Sequence, residues 1–200
     1  SHGKSTTTAL LSLMMIEAGL DPTVIIGTRL KEFEGSNFRL GKSRYLIIEA
    51  DEWNNSFHQY KPTIVAITNV DKEHLDTFKN LQGVIKSFNK YLSNIAPQGK
   101  VFINAKDKNS LQAIKGISAE IFFYYKKQFS KWPLQIPGEF NQLNAEAAWQ
   151  IAESLGVSKK DARAAVKKFA GSGRRMESLL PKTATKLCKR CIYINDYAHH

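Results

Sequence analysis

Apolar residues recur at helical spacing from Thr6 to Ala18, and Gly19 followed by Asp21-Pro22 supplies a stop, so the first predicted element is a helix. Short runs rich in β-branched and aromatic residues follow at Thr23 to Ile26, Arg44 to Ile48, Thr63 to Thr68, Lys100 to Ile103, Glu120 to Tyr125 and Ile192 to Asn195. Most are continuous apolar runs rather than alternating ones, which is the pattern of strands buried on both faces. Helical stretches near Leu81 to Asn94, Asn141 to Leu155 and Lys159 to Phe169 are available to cover them. The order predicts an α/β fold, a mainly parallel sheet flanked by helices. No internal repeat or low-complexity segment interrupts it. Gly171 and Gly173 flank a serine near Ala170 to Arg175, and a boundary there divides the chain into a domain at 1–173 and the opening of another at 174–200.

Composition narrows the class. The longest apolar stretch, Ala9 to Ile16, is broken by Ser12 and followed by Glu17, well short of the roughly 20 residues of a membrane-spanning helix. No charged, then apolar, then small-residue leader opens the chain, so a globular protein without membrane or secretory function is expected. Its 29 Lys and Arg against 18 Asp and Glu give a net charge of +11, which favours anionic partners such as nucleotides. The lysines are scattered, with no basic helix stripe or aromatic-rich RNA signature, and nucleic acid is not expected as a partner. Cys188 and Cys191 form one C-x-x-C with no second pair to complete a zinc site, and two cysteines in 200 residues suit a reducing, cytoplasmic setting.

The chemistry begins at the first residue. Ser1-His2-Gly3-Lys4-Ser5-Thr6 opens the first helix, so backbone N–H groups and the positive end of the helix face one point. Such a point holds phosphate. Lys4 adds charge for terminal phosphates, and the Ser5 hydroxyl is placed to ligate a phosphate-bound Mg²⁺. The first glycine of a complete phosphate loop would precede Ser1, so the chain reads as part of a longer one. The bland alternative is a Ser/Thr-capped helix with nothing bound.

The run Tyr45 to Ile48 delivers Glu49, Asp51 and Glu52 at its carboxyl end, where open α/β sheets place ligands. The run ending at Thr68 leads likewise into Asn69, Asp71, Glu73, His74 and Asp76. Either cluster alone reads as a solvated acidic loop. Beside a phosphate loop, the two aim oxygen and imidazole groups at one edge of the sheet.

Seven motifs carry a resemblance: H-G-K-S-T-T-T (2–8), G-S-N-F-R-L-G (35–41), E-A-D-E (49–52), T-N-V-D-K-E-H-L-D (68–76), P-G-E-F-N-Q-L-N-A-E-A-A (137–148), G-R-R-M-E (173–177) and D-Y-A-H-H (196–200). In order and spacing the chain resembles the central portion of a Mur ligase, most closely the alanine-adding branch. The resemblance implies an ATP-dependent, amide-forming ligase of peptidoglycan precursor synthesis that joins L-alanine to UDP-N-acetylmuramate through an acyl phosphate. It implies ATP and Mg²⁺ at a site split between two domains, with further amino- and carboxyl-terminal domains as partners. By the same resemblance, His2, Gly3, Lys4, Ser5 and Thr6 cradle the triphosphate, Asn69 lines it, and Lys4 grips its outer phosphates. Ser5 and Glu49 hold one Mg²⁺, and His74 with Glu49 positions a second. Asn141 and Asn144 contact adenine, Arg175 reaches the phosphates, and Asp196 accepts from the ribose.

Departures from the family pattern bear on specificity. Phe140 stands where the family usually has histidine, Glu73 replaces an aspartate, and Trp53-Asn54 replaces Ser-Asp. Asn89 occupies the spacing at which sister ligases carry a carbamylated lysine, which the alanine-adding branch lacks. Three other readings stay open: a ligase that recycles cell-wall tripeptide, a P-loop ATPase unrelated to ligation, and a non-catalytic nucleotide-binding paralogue.

Overall fold

The computed structural model describes residues 1–125 and 131–173, together with the backbone of 177–179 and 193–195. Helix α1 runs Lys4–Glu17, two residues earlier at its start than its apolar pattern indicates. Its early turns are lined by Ser5, Thr6, Thr7 and Thr8, all buried although polar, because the helix is covered almost all round. Strand β1 (Thr23–Leu30) follows, then a 3-10 turn at Lys31–Phe33, β2 (Ser36–Arg39) and β3 (Leu46–Ile48). The chain reverses at Glu34 and Gly35, both left-handed, and β2 pairs antiparallel with β1. This hairpin lacks a continuous apolar run, which is why periodicity did not mark β2 as a strand.

A second 3-10 segment, Trp53–Gln59, leads to β4 (Ile64–Ile67). Next come a short helix α2 (Leu75–Phe78), α3 (Leu81–Leu92), β5 (Lys100–Asn104), α4 (Lys108–Ala113) and β6 (Glu120–Tyr124). Helix α3 is amphipathic: Val84, Ile85, Phe88, Tyr91 and Leu92 are its buried stripe, and the Asn80 side chain caps it by accepting from Gly83 N–H at 2.9 Å. Asp107 caps α4 in the same manner. Helices α5 (Glu139–Ser154) and α6 (Lys159–Lys168) complete the layer over α1, and Ser158 caps α6. Strands β7 (Glu177–Leu179) and β8 (Tyr193–Asn195) form an antiparallel pair.

The strands make two three-stranded sheets, ordered β2-β1-β3 and β4-β5-β6. Apart from β1 with β2, every pairing within them is parallel. The α/β class and the mainly parallel sheet therefore stand as expected.

Two cores lie on opposite faces of β4. Ile64 and Ala66 pack against a core built from α1, α5, α6 and β1, whereas Val65 and Ile67 belong to one built from α3, α4 and Phe57. That alternation is why the strand reads as one unbroken apolar run. In the first core, Lys159 lies 4.2 and 4.3 Å from the ring centres of Trp132 and Trp149, and Trp132 Nε1–H donates to Glu146 at 3.1 Å. Among the described residues, no helix is long and apolar enough to cross a membrane.

Candidate phosphate and metal site

The site assembles where α1 begins and where β3 and β4 end. Gly3 adopts φ 82°, a left-handed conformation that turns the chain into α1, and Thr7 N–H closes the first turn on Gly3 C=O at 2.9 Å. A Cβ at Gly3 would overlap the Asn144 side chain, so the backbone there must be bare. Asn144 lies on the first turns of α5 and its Nδ2 faces Asn141 Oδ1 at 3.4 Å, while Asn141 Nδ2 donates to Pro137 C=O at 2.6 Å. Both asparagines are buried. The sequence-predicted pair therefore does share a face, and Asn144 fixes that face against the phosphate loop.

Asn69 clamps the loop. Its Oδ1 accepts from His2 N–H at 2.8 Å, its Nδ2 donates to His2 C=O at 2.9 Å, and Thr68 Oγ1 donates to the same carbonyl at 2.6 Å. The His2 ring sits 3.3 Å from Glu73 and 3.6 Å from Asp71. Asn69 and Thr68 therefore hold the His2 backbone at the start of the loop.

Two carboxylates hold the cation that the motif supplies. Lys4 Nζ lies 2.5 Å from Glu52 Oε2 and 3.2 Å from Asp51 Oδ1. Burial disfavours the Lys4 ammonium, but Glu52 and Asp51 outweigh it and its pKa lies above the usual lysine value. Glu52 is 1% exposed, and burial would raise its pKa; the Ser1 ammonium and Lys4 instead pull it down to about 2. The sequence reading noted Asp51 and Glu52 as acid at a strand end without pairing either with Lys4. Their position after a strand terminus was the only available signal.

Glu49 does a different job. Its Oε1 accepts from Ser5 Oγ–H at 2.8 Å and its Oε2 from Gly27 N–H at 2.7 Å, which ties α1 to β1. Ser5 and Glu49, expected to share a cation, are thus in direct contact. His74 is reached by a strained turn with φ 51°. One ligand atom from each of Asp51, Glu52 and His74 lies within 4.8 Å of the others. By proximity, then, the imidazole groups with Asp51 and Glu52, and Glu49 with Ser5.

The donor set suits a hard divalent cation, since it offers carboxylate oxygens, a hydroxyl and an imidazole. Thr7 Oγ1 is buried without a hydrogen-bond partner among the described residues, as expected where a further ligand completes the site, whereas Glu52 Oε1 faces the Ser1 ammonium at 3.6 Å. Phe140 and Trp53, the two aromatic departures, are exposed. Asn89 donates to the carbonyls of Ala113 and Lys115 at 2.7 and 2.9 Å, a role that joins α3 to the end of α4. Arg175 and Asp196 lie outside the described residues, as do Cys188 and Cys191.

Residues 1–133 match the model of the Mur ligase middle domain. The whole chain is 34% identical to UDP-N-acetylmuramate--L-alanine ligase of Caldanaerobacter subterraneus subsp. tengcongensis, covering 48% of it, and 35% identical to the enzyme of the same name from a Psychrobacter species, covering 47%. The chain thus spans about half the length of the curated relatives it matches. Among solved structures, the UDP-N-acetylmuramate-alanine ligase of Thermotoga maritima superposes with a TM-score of 0.78 at 25% identity, over 100% of this chain and 49% of that one. A UDP-N-acetylmuramate:L-alanyl-gamma-D-glutamyl-meso-diaminopimelate ligase from Neisseria meningitides shares the fold, with a TM-score of 0.78 at 22% identity over 87% of this chain and 65% of that one.

Proposed function

The chain belongs to the Mur ligase family through its middle domain, and from that premise we propose that it forms the ATP-binding, phosphoryl-transfer part of an enzyme that joins L-alanine to UDP-N-acetylmuramate. The observation that carries the reading is the meeting of Lys4 and Ser5, on a phosphate-type helix start, with Glu49, Asp51, Glu52 and His74 at adjoining strand ends. The names of the relatives support the substrates.

The reaction has two steps. A substrate carboxylate oxygen attacks the γ phosphorus of ATP, the bond to the β-γ bridging oxygen breaks, and ADP leaves with that electron pair. The amine of L-alanine then attacks the acyl carbon, phosphate departs, and the amine gives up a proton. The first step asks the protein mainly for alignment and for relief of crowded negative charge. Lys4 would turn from Glu52 and Asp51 toward the outer phosphates, and the N–H groups at the start of α1 would cradle the β phosphate. Ser5 and Glu49 would hold one Mg²⁺, and His74, beside Asp51 and Glu52, would help hold a second; Mg²⁺ when bound supplies neutralisation of the crowded negative charge. Asn144 and Asn141 would form the nucleoside side of the cradle. Arg175 and Asp196 would act from the opening of a second domain at 174–200, and domains beyond this chain would bring the UDP group and the amino acid. A reaction drawing on ATP belongs in the cytoplasm.

The test is phosphate release by the complete polypeptide with UDP-N-acetylmuramate and a panel of L-alanine, L-serine, glycine and the cell-wall tripeptide. Release dependent on L-alanine is expected. Exposed Trp53 directly after E-A-D-E favours the tripeptide as second reading, and release with the tripeptide alone would establish it. Release independent of any amine would make the protein an ATPase.

A further inference from the structure

Residues 51–57 close into a tight knot around Asp51. The Asp51 C=O accepts from Ser56 Oγ–H at 2.8 Å and from Phe57 N–H at 3.1 Å. Its Oδ1 accepts from Trp53 N–H at 3.4 Å and from the Lys4 ammonium at 3.2 Å. Asn54 and Asn55 are left-handed in succession, with φ 51° and 55°. Asparagine tolerates that conformation better than most residues, but two together destabilise a chain unless its surroundings hold them. They are held from behind. Asn55 Oδ1 accepts from Ser87 Oγ–H at 2.5 Å, and Asn94 Nδ2 donates to His58 C=O at 2.9 Å. The Phe57 ring is buried in the second core, its centre 4.6 Å from that of Tyr91 and 5.2 Å from that of Phe88.

What this anchored turn presents is Trp53. It is 54% exposed, whereas Trp132 and Trp149 are buried in the first core. A single exposed apolar side chain on a surface is ordinary. One on a strained turn, fixed to the core behind it and bonded to the carboxylate that holds Lys4, is placed to touch a ligand.

Position selects the ligand. Asn144, beside Asn141, meets Gly3 from α5, while Asp51 and Glu52 hold the Lys4 ammonium and His74 groups with them. Trp53 belongs with the second group, which would face the outer phosphates rather than the base. A carboxylate that attacks the γ phosphorus must come within about 3–3.5 Å of it, so the part of that substrate next to the carboxylate falls beside Trp53. An indole offers a broad apolar face and one N–H donor. The C–H face of a pyranose is the surface complementary to it, and in UDP-N-acetylmuramate the reacting carboxylate hangs from the pyranose through one ether link.

We propose that Trp53 is a sugar platform: its indole face stacks on the pyranose of the carboxylate substrate and so aims the carboxylate at the γ phosphate. The inference rests on the ligase reading. It holds for either amine donor, because L-alanine and the tripeptide would meet the same carboxylate substrate.

Two measurements on the complete polypeptide test it. Trp53→Ser removes the platform and should raise the KM for UDP-N-acetylmuramate about ten-fold, with the KM values for ATP and L-alanine nearly unchanged. Trp53→Tyr keeps an aromatic face and should restore most of the loss. The second readout is ¹⁹F NMR of protein labelled with 5-fluorotryptophan, in which the resonance missing from Trp53→Phe identifies Trp53. With Mg²⁺ and a non-hydrolysable ATP analogue present, that resonance should shift on adding UDP-N-acetylmuramate and stay in place on adding L-alanine or the tripeptide. An unmoved resonance at saturating UDP-N-acetylmuramate would overturn the proposal. So would a shift caused by the ATP analogue or an amine alone, or a resonance shielded from solvent before any ligand is added, which marks a contact with another domain. Absence of phosphate release by the unsubstituted enzyme with every amine would remove the ligase reading, and the Trp53 resonance would still decide whether the sugar stacks there.

Discussion

Lys4 and Glu52 form an ion pair of 2.5 Å at the start of α1, with Glu52 almost wholly buried. The lysine that the phosphate motif supplies is therefore also the partner that makes a buried carboxylate tolerable. Lys4→Ala should accordingly have two separable effects in the complete enzyme. Loss of one charge contact to the phosphates should lower phosphate release about a hundred-fold to a thousand-fold. Leaving Glu52 with one partner fewer should also cost about 3 kcal/mol of stability. The double variant Lys4→Met with Glu52→Gln should regain most of the stability and none of the activity. Urea unfolding and phosphate release, measured on the same preparations, separate the two.

Glu52 also sets an acid limit. Its pKa in the folded chain, about 2, lies below the ordinary 4.5, so its contribution to stability is complete above about pH 4.5 and is lost as pH falls toward about 2. Glu52→Gln has no such titration. The difference in urea midpoint between the original chain and the variant should shrink steadily across that window, and a constant difference would show that Glu52 is not held by its neighbours.

Gly3 offers a steric test. Gly3→Ala must take φ 82° and displace Asn144, which should cost about 1–3 kcal/mol and weaken ATP binding. If Asn144 is what the methyl meets, Asn144→Ala in the same chain should recover part of the binding. Isothermal titration with ATP and Mg²⁺ reads both variants.

Asn69→Ala removes both side-chain bonds to the His2 backbone while touching no carboxylate. A loosened loop should raise the KM for ATP about ten-fold or more with a smaller change in kcat. A fall in kcat alone would point to a direct role at the γ phosphate instead.

Lys159 stands apart from the site. Its ammonium over Trp132 and Trp149 should contribute about 0.5–2 kcal/mol, so Lys159→Met should lower the Tm while leaving ATP affinity unchanged.

Local pattern was enough to mark α1, the apolar strands and the helices α3, α5 and α6, because helix and strand burial repeat at periods that a chain displays residue by residue. It was not enough for β2, whose residues are mostly polar and whose pairing depends on the reversal at Glu34 and Gly35. The sequence by itself marked residue types suited to phosphate and metal, since Gly3, Lys4, Ser5, Glu49 and His74 are tied to short motifs with their own chemistry. Only the tertiary structure decided who touches whom. Glu52 pairs with Lys4 across 48 positions, Glu49 with Ser5 across 44, and Asn69 with His2 across 67. Those pairings depend on parallel strands ending beside one helix start, a relation between distant segments that no local spacing encodes.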